Sequence, residues 1–359
     1  MKPSSLRHAL LAGLAAALLS GAAAAAEPQG RLLFVSNRGG NAQIHVMNAD
    51  GSDEHALTAT PQENTEPAWS PDGRRIAFTS YRDGNAEIYV MEADGSHQQR
   101  LTHEAQADSA PGWTPDGRIV FRSMRQRWAN FYAMNADGGG LQVLSATPQD
   151  KGPPTLSPDG AWIAYVGHDD RGGADIFILP SRGGTEARNL TGSLSKQAKS
   201  FPAWSPDSRR LLYLESQGLA LNVKVIDADG SHAGSITDNV YTNAYPAWSP
   251  DGQRIAFVSS REGTRTEMAR GEIYVMNADG SAAANLTRHP DEDNYPAWSA
   301  DGRSIFFVSL RDGKAQIYSV AAQGGAATRL TRSEGFDLMI RPQAPPPAQA
   351  TSMTTRSKP

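Results

Sequence analysis

Pro67-Ala68-Trp69-Ser70-Pro71-Asp72-Gly73 is the first of six copies of one heptapeptide in this chain of 359 residues. The copies read PAWSPDG from Pro67, PGWTPDG from Pro111, PTLSPDG from Pro154, PAWSPDS from Pro202, PAWSPDG from Pro246 and PAWSADG from Pro296, spaced 43 to 50 residues apart. A repeat of this length built from short strands is typical of β-propellers. The sequence therefore predicts an all-β fold, a closed β-propeller of four-stranded blades.

One repeat unit, residues 67–102, can be read as four strands, named a to d from here on. We assign strand a to 67–70, strand b to 76–80, strand c to 87–91 and strand d to 99–102. Ser-Pro-Asp-Gly between strands a and b suits a tight turn, because proline presets φ and Gly accepts the last position. Strand c is apolar at consecutive positions, which indicates burial on both faces. The tryptophan of strand a recurs in five copies, and we interpret it as packing between blades.

The b–c–d part of the unit occurs seven times, beginning near Leu32, Ile76, Ile119, Ile163, Leu211, Ile255 and Ile305. The first copy has no strand a before it. We predict that the C-terminal segment 335–342 supplies that strand and closes the first blade, leaving no open sheet edge. The count favours seven blades. Six blades remain the alternative if the irregular fifth unit, 209–245, is malformed.

The two ends of the chain differ in composition from the repeats. Residues 1–26 combine a short basic start, an Ala/Leu run and small residues before Glu27, which indicates a secretory signal peptide. The propeller is expected over 31–342, and the Pro/Ala/Ser/Thr-rich tail 343–359 is expected to be disordered. We therefore expect a periplasmic or secreted protein, with no membrane span once the signal is cleaved.

Composition excludes several function classes. The chain has no cysteine, so disulfides, thiolate catalysis and Cys-based metal sites are ruled out. Its formal net charge of −4 argues against a nucleic-acid binder, which would carry a concentrated basic surface. No nucleophile elbow, phosphate loop or H-E-x-x-H helix occurs. We expect a monomer without a cofactor.

The combination PAWSPDG, IAFTSYRDGNAEIYVMEADGS and LT within one repeat resembles the propeller repeat of TolB, the periplasmic component of the Tol–Pal envelope system. The resemblance covers about 31–342. It implies a non-enzymatic protein that binds an envelope partner, such as a peptidoglycan-associated lipoprotein. TolB also carries an N-terminal α/β domain that this sequence lacks, which suggests a stand-alone relative. Similar repeats occur in propeller domains of prolyl-oligopeptidase-like peptidases, in tricorn-type proteases and in oligogalacturonate lyases.

In this topology one face of the ring carries the d–a loops, such as 103–107, and the b–c loops, such as 81–86. We call it the loop face. The opposite turn face carries the a–b and c–d turns, such as 70–73 and 93–96. Because the loops vary while the turns are uniform, we predict binding at the loop face. The candidate binding residues are Glu66, Phe201, Tyr245, Tyr295, His168 and Arg265. Phe201, Tyr245 and Tyr295 precede strand-a prolines and could rim the central channel, with Glu66 and Ala110 opposite. Arg265 belongs to the longest b–c insertion, 262–271.

Two recurring polar features of the repeat have a structural interpretation. Arginines follow strand b as Arg38, Arg82, Arg125, Arg261 and Arg311, and recurrence favours a structural role, bonded to loop carbonyls or to an Asp of the adjacent blade. Asp227-Ala228-Asp229-Gly230 aligns with the other c–d hairpins, so we interpret it as a turn rather than a calcium loop.

Three histidines, His103, His168 and His289, fall in loops of the predicted loop face. Together they form the alternative hypothesis of a divalent-metal site, as the resemblance to oligogalacturonate lyases implies. The favoured hypothesis is an exported, non-enzymatic interaction scaffold. The alternatives are a secreted carbohydrate-active enzyme and a propeller that binds a small ligand in its central channel.

Overall fold

The computed structural model describes residues 30–344, except 146, 148, 169–172, 185, 193, 239 and 263–270. Within these ranges the protein contains strands, turns and bends but no helix. Accordingly, no described helix is long and apolar enough to span a bilayer. The predicted signal peptide, 1–26, and residues 345–359 of the predicted tail lie outside the described residues.

Seven four-stranded antiparallel sheets form the blades. Strands a are β4 (Asn64–Trp69), β8 (Asp108–Trp113), β12 (Thr155–Leu156), β16 (Lys199–Trp204), β20 (Asn243–Trp248), β24 (Asp293–Trp298) and β28 (Asp337–Pro342). Strands b are β1 (Arg31–Ser36), β5 (Arg75–Ser80), β9 (Ile119–Ser123), β13 (Trp162–His168), β17 (Arg210–Gln217), β21 (Arg254–Ser259) and β25 (Ser304–Ser309). Strands c are β2 (Gln43–Asn48), β6 (Glu87–Glu92), β10 (Asn130–Met134), β14 (Ala174–Pro180), β18 (Ala220–Asp227), β22 (Glu272–Asn277) and β26 (Gln316–Ala321). Strands d are β3 (His55–Ala56), β7 (Gln99–Arg100), β11 (Gln142–Val143), β15 (Arg188–Asn189), β19 (Gly234–Ser235), β23 (Ala284–Asn285) and β27 (Thr328–Arg329).

Strand a lies at the centre of the ring, because each strand a contacts strand a of both neighbouring blades, from β28 and β4 around to β24 and β28. Strands b and c are buried along nearly their whole length. Their side chains pack on both sides against adjacent blades, as where Leu33 and Ile44 of blade 1 meet Ile76 and Phe78 of blade 2. Burial on both faces explains the unbroken apolar runs in these strands.

Local hydrogen bonds stabilise the turns of the repeat. In the a–b turn, Ser70 Oγ donates to Asp72 Oδ1 at 2.6 Å and accepts the amide of Arg75 at 2.9 Å. In the c–d turn, Gly95 has φ 85°. A Cβ there would lie 2.9 Å from the carbonyl oxygen of Leu57 in the preceding blade. Glycine is therefore required at this position for two reasons: the positive φ and the close approach of the preceding blade.

The recurring tryptophans join neighbouring blades, as predicted. Each indole Nε1 donates to a carbonyl in strand a of the preceding blade, at 3.0–3.3 Å. An arginine of that blade stacks on the indole in several cases, such as Arg254 at 4.8 Å from the Trp298 centroid. Leu156, which replaces the tryptophan in blade 4, packs toward Gly112 instead.

The C-terminal strand closes the ring, as the seven-copy count predicted. β28 pairs with β1, with Leu33 opposite Arg341 and Ser36 opposite Asp337. The junction is reinforced by a 2.7 Å hydrogen bond from the amide of Phe336 to Asn37 Oδ1. The six-blade alternative is therefore wrong.

The fifth unit forms a complete blade instead of a malformed one. Its strands b and c, β17 and β18, are each eight residues long and pair without a shift from Arg210 to Gln217. A tight turn at Gly218, with φ 63°, replaces the longer b–c loop of the other blades. The unit looks irregular in sequence because it extends a hairpin in place of the arginine-bearing loop.

Candidate functional site

A β-bulge in strand a shapes the loop-face end of the central channel. In blade 2 the pairing of β4 with β5 shifts between Thr65 and Ala68, so two residues lie opposite one. The first bulged residue is left-handed in six blades, with φ of 50–57°: Glu66, Ala110, Phe201, Tyr245, Tyr295 and Met339. Non-glycine residues adopt this conformation at a cost of about 1–2 kcal/mol. Strand pairing on both sides of the bulge imposes the left-handed conformation, so this position accepts different side chains.

Blade 4 is the exception. Pro153 stands at the bulge position, and a proline ring fixes φ near −65°, so this residue cannot become left-handed. Strand a of the blade is accordingly reduced to β12, with one isolated bridge from Lys151 to Gly167 before it.

Three of the bulge residues form a continuous aromatic surface across blades 5, 6 and 7: Phe201, Tyr245 and Tyr295. We call this surface the aromatic arc. The rings of Phe201 and Tyr245 meet edge to face with centroids 5.3 Å apart, and those of Tyr245 and Tyr295 lie 4.4 Å apart. Phe201 is 52% exposed and Tyr295 45% exposed. The structure thus brings together the three aromatic residues predicted from sequence.

The electrostatics of the arc keep the hydroxyl of Tyr245 neutral. Burial, then a hydrogen bond with Tyr295 and the negative charge of Glu292, raise the pKa of Tyr245. The two tyrosine hydroxyls are 3.5 Å apart. The arc therefore presents aromatic faces with polar tips, a surface suited to apolar groups.

A cavity of about 150 Å³ opens beside the aromatic arc between blades 5, 6 and 7. Its walls are mainly apolar, with Leu214, Leu221, Ala244 and Val258 among them, and Glu292 and Asn294 add polar groups. The Glu292 carboxylate accepts a hydrogen bond from Asn294. The cavity has the size of one side chain, since an engineered apolar cavity of about 150 Å³ accepts benzene.

A larger depression of about 820 Å³ lies at the outer edge of blade 6, lined by Tyr274, Asn285 and His289 among others. It also adjoins Glu262, directly before residues 263–270, which lie outside the described residues. It shares no residue with the aromatic arc.

Glu66, predicted as a binding residue, is already engaged within the ring. Its Oε2 accepts the hydroxyl of Thr79 and the backbone amide of Ala110, both at 2.8 Å. Ala110 is the left-handed residue of the next blade, so the carboxylate holds the neighbouring bulge in place. The arrangement gives Glu66 a structural role at the channel mouth, and the sequence contained no sign of it.

Arg341 is a residue of the channel that sequence reasoning missed. By strand pairing it matches Ala68, Gly112, Thr155, Ala203, Ala247 and Ala297, all of them small. Arg341 is solvent-exposed, yet burial lowers its pKa, while the charge of Glu66 raises it. Both hold for a side chain inside a narrow, water-accessible channel. Aligning the closing strand with the repeat would have revealed it.

Exposed apolar side chains concentrate on the loop face. Among the described residues, every exposed large hydrophobic side chain except Leu141 and Val143 lies in a d–a or b–c loop or in the first half of a strand a. These residues are Tyr81, Leu194, Phe201, Leu219, Val240, Tyr295, Leu310, Phe336, Leu338 and Met339. Such clustering marks interaction surfaces more often than isolated exposed residues do.

The recurring arginines have a structural role, but with a different partner from the one predicted. Arg125 Nε donates to Ser123 Oγ at 2.8 Å and Nη2 to Asp108 at 2.7 Å, and its guanidinium stacks 4.4 Å from the Tyr132 centroid. Asp108 belongs to the same blade, not the adjacent one. The arginine thus ties strand a to strands b and c within a blade.

The structure does not assemble the histidines into a metal site. His103 and His168 are exposed, and His289 lies 3.6 Å from Asp291. Among the residues that the structure describes, no three His, Cys, Asp or Glu side chains are placed to hold a metal ion. His168 ends β13, away from the aromatic arc in sequence and blade, and Arg265 lies outside the described residues.

Solved structures resemble this fold. TolB from Acinetobacter baumannii is 21% identical with a TM-score of 0.55, over 75% of this chain and 66% of that chain. Putative TolB from Agrobacterium tumefaciens is 21% identical with a TM-score of 0.51, over 87% and 90%. Oligogalacturonate lyase from Vibrio parahaemolyticus is 15% identical with a TM-score of 0.63, over 85% and 86%. This chain thus spans just under two thirds of the A. baumannii protein, and identities this low support the fold alone.

A family profile described as the TolB beta propeller domain matches residues 15–198, 154–267 and 201–358, which together cover nearly the whole chain. The match agrees with the heptapeptides, the seven blades and the closing strand. The chain belongs to the TolB beta propeller domain family.

Proposed function

We propose that this protein is an exported, non-enzymatic scaffold that binds an envelope protein through its loop face. One observation carries the proposal: the exposed apolar side chains concentrate on that face, around a channel mouth with an aromatic rim. A monomeric protein gains nothing in stability from leaving such residues in water, whereas a partner would cover them.

The geometry of the ring leaves this face accessible. The first and last described residues meet on the opposite, turn face, where the amide of Gln343 donates to the carbonyl of Arg31 at 2.8 Å. Chain segments that extend beyond the ring therefore leave from the side away from the aromatic arc. A periplasmic or secreted location follows from the predicted signal peptide, and a peptidoglycan-associated lipoprotein is the partner implied by the resemblance.

The enzymatic alternatives have no supporting observation of their own. The metal-dependent lyase hypothesis needs His103, His168 and His289 together, and the described residues contain no such cluster. Similarity to the lyase at 15% identity supports the propeller fold but does not extend the lyase's chemistry to this chain. The small-ligand hypothesis has one observation of its own, the cavity of about 150 Å³ beside Tyr245.

Site-specific photocrosslinking in intact cells tests the proposal. The full chain is expressed in its own host with a photoreactive phenylalanine at Phe201 or Tyr295 on the loop face. Matched controls carry it at Arg74 or Glu92, which are exposed on the turn face. We expect one envelope protein to be captured from the loop face and not from the turn face. Equal capture from both faces, or none from the loop face, would overturn the proposed role.

A further inference from the structure

Among the described residues, one acid and no base line the cavity beside the aromatic arc. Glu292 is the charged residue of its wall, and the other lining side chains are apolar or neutral and polar. Glu292 is half-buried, and the side-chain amide of Asn294 donates to its carboxylate. Its charge reaches the aromatic wall, since it is one of the causes that raise the pKa of Tyr245. A cavity with one negative charge and no positive one favours a cation.

The carboxylate of Glu292 has no cationic partner within the described part of the chain. Other acids of the ring are paired: the next residue, Asp293, lies 3.0 Å from Arg311, and Asp175 lies 3.2 Å from Lys199. A neutral occupant of the cavity would displace water from Glu292 without replacing its interactions, which is costly. A cation would instead pair with the carboxylate.

The aromatic arc provides the other walls of the cavity. The ring planes of Phe201 and Tyr245 are 81° apart, and those of Tyr245 and Tyr295 are 43° apart. Rings at such angles present surfaces in different directions, as in the aromatic cages that bind quaternary ammonium groups. The face of an aromatic ring attracts a cation, and more strongly where water is displaced. These walls therefore suit a cation that is apolar on its outside.

The size of the cavity limits its occupant to a compact group. A cavity of about 150 Å³ accepts benzene, and a trimethylammonium group has fewer heavy atoms than benzene. A hexose has about twice as many heavy atoms as benzene and offers no charge to Glu292. A divalent metal ion prefers several oxygen ligands, whereas the described wall provides one carboxylate.

We propose that this cavity binds a compact quaternary ammonium ion of the choline type, held between the rings of the aromatic arc and the carboxylate of Glu292. The inference goes beyond the proposed function, because the ligand is a small cation and the binding needs no partner protein.

Blade 2 offers a matched position that lacks the aromatic walls. Glu63 directly precedes β4 as Glu292 directly precedes β24, and the carbonyl of each accepts an amide at 3.0 Å from the residue that follows strand b. The bulge residues of blades 2 and 3 are Glu66 and Ala110, so no aromatic arc adjoins Glu63. An acid at this place in the repeat is therefore not enough for the proposed site, and Glu63 serves as its control.

The test is isothermal titration calorimetry of the purified full chain with choline and with its neutral isostere, in which carbon replaces the nitrogen. The two probes have the same shape, so a difference in affinity reports the charge. We expect choline to bind at least about tenfold more tightly than the isostere. Absence of choline binding, or equal affinities for the two probes, would overturn the inference.

Three variants assign the binding to the cavity. Glu292→Gln should weaken choline binding about tenfold and leave the isostere unaffected, whereas Glu63→Gln should leave both unaffected. Tyr295→Leu keeps an apolar side chain but removes the ring, so choline should lose more affinity than the isostere. Thermal unfolding of every variant controls for folding. Choline affinity that is unchanged in Glu292→Gln, or reduced equally in Glu63→Gln, would contradict the assignment.

Co-sedimentation with phosphatidylcholine vesicles distinguishes the two sources of such a group. Co-sedimentation that Glu292→Gln abolishes would assign a lipid headgroup, and choline binding without co-sedimentation would assign a free solute. Both outcomes support the site. Its failure would leave the proposed function intact, because the capture of a protein at the loop face is measured separately.

Discussion

Replacing His45 with phenylalanine should make the propeller more resistant to mild acid. His45 lies in strand c of blade 1, 6% exposed, with its ring 5.3 Å from that of Phe34. Its Nδ1 is buried without a hydrogen-bond partner. Burial first, and then the positive charge of Arg38, lower its pKa from 6.5 to about 4. The folded protein therefore holds a neutral imidazole that the unfolded chain would protonate.

The sign and size of the effect follow from proton linkage. Above about pH 6.5 both states hold His45 neutral, and the group has no effect on stability. As the pH falls from 6.5 toward 4, only the unfolded state gains the proton, so the free energy of unfolding decreases. With these two pKa values the loss at pH 5 is about 2 kcal/mol, and it levels off below about pH 4.

Phenylalanine is a suitable replacement because Phe177 occupies the equivalent position of blade 4, opposite Tyr165 in the b–c pair. The assay is urea unfolding of wild type and His45→Phe at pH 8 and pH 5. The difference between the two proteins should change by about 2 kcal/mol between these pH values in favour of the variant. All other titrating groups are common to both proteins. An equal pH dependence in the two would refute the claim that His45 is buried neutral.

Two further substitutions test how blades are held together. Gly95→Ala should destabilise the protein more than Gly84→Ala does, by about 1 kcal/mol or more in urea unfolding. Both glycines have positive φ, but only a Cβ at 95 would meet the Leu57 carbonyl. Equal losses of stability in the two variants would refute the close-approach argument. Lys199→Met should cost about 3–5 kcal/mol, since it leaves the Asp175 carboxylate, 3.2 Å from Lys199 Nζ, buried without its cation. Adding Asp175→Asn should recover much of that loss, and a double variant as unstable as the single one would show that the ion pair is not what matters.

The repeat made most of the fold predictable. The heptapeptide fixes strand a and the following turn, and counting the b–c–d part separately revealed that one strand a had to come from the C-terminus. Pairing of Ser36 with Asp337 confirms that closure. The fifth unit suggested the six-blade alternative because its hairpin, turning at Gly218, lacks the loop that marks the other units. Strand pairing tolerates such an extension, since the added residues bond to each other.

The candidate site was predictable only in part. Position in the repeat placed Phe201, Tyr245 and Tyr295 together, because equivalent residues of adjacent blades become neighbours in a ring. Roles that depend on a hydrogen-bond direction were not accessible. The engagement of Glu66 with the Ala110 amide requires a left-handed residue at 110 to present that amide. The sequence showed an acid at the rim, and only the backbone shows that it is already bonded.

Backbone strain offers an independent argument about why the aromatic arc exists. A bulge residue with φ near 50° is best accommodated by glycine, which would remove a cost of about 1–2 kcal/mol at each position. The chain has phenylalanine and tyrosine there instead. Core packing does not account for that choice at Phe201, which is 52% exposed, or at Tyr295, which is 45% exposed. Three strained backbone positions that hold aromatic side chains at the channel mouth are what the proposed partner-binding face requires, because the bulge fixes each aromatic residue in place before a partner arrives and so reduces the entropy lost on binding.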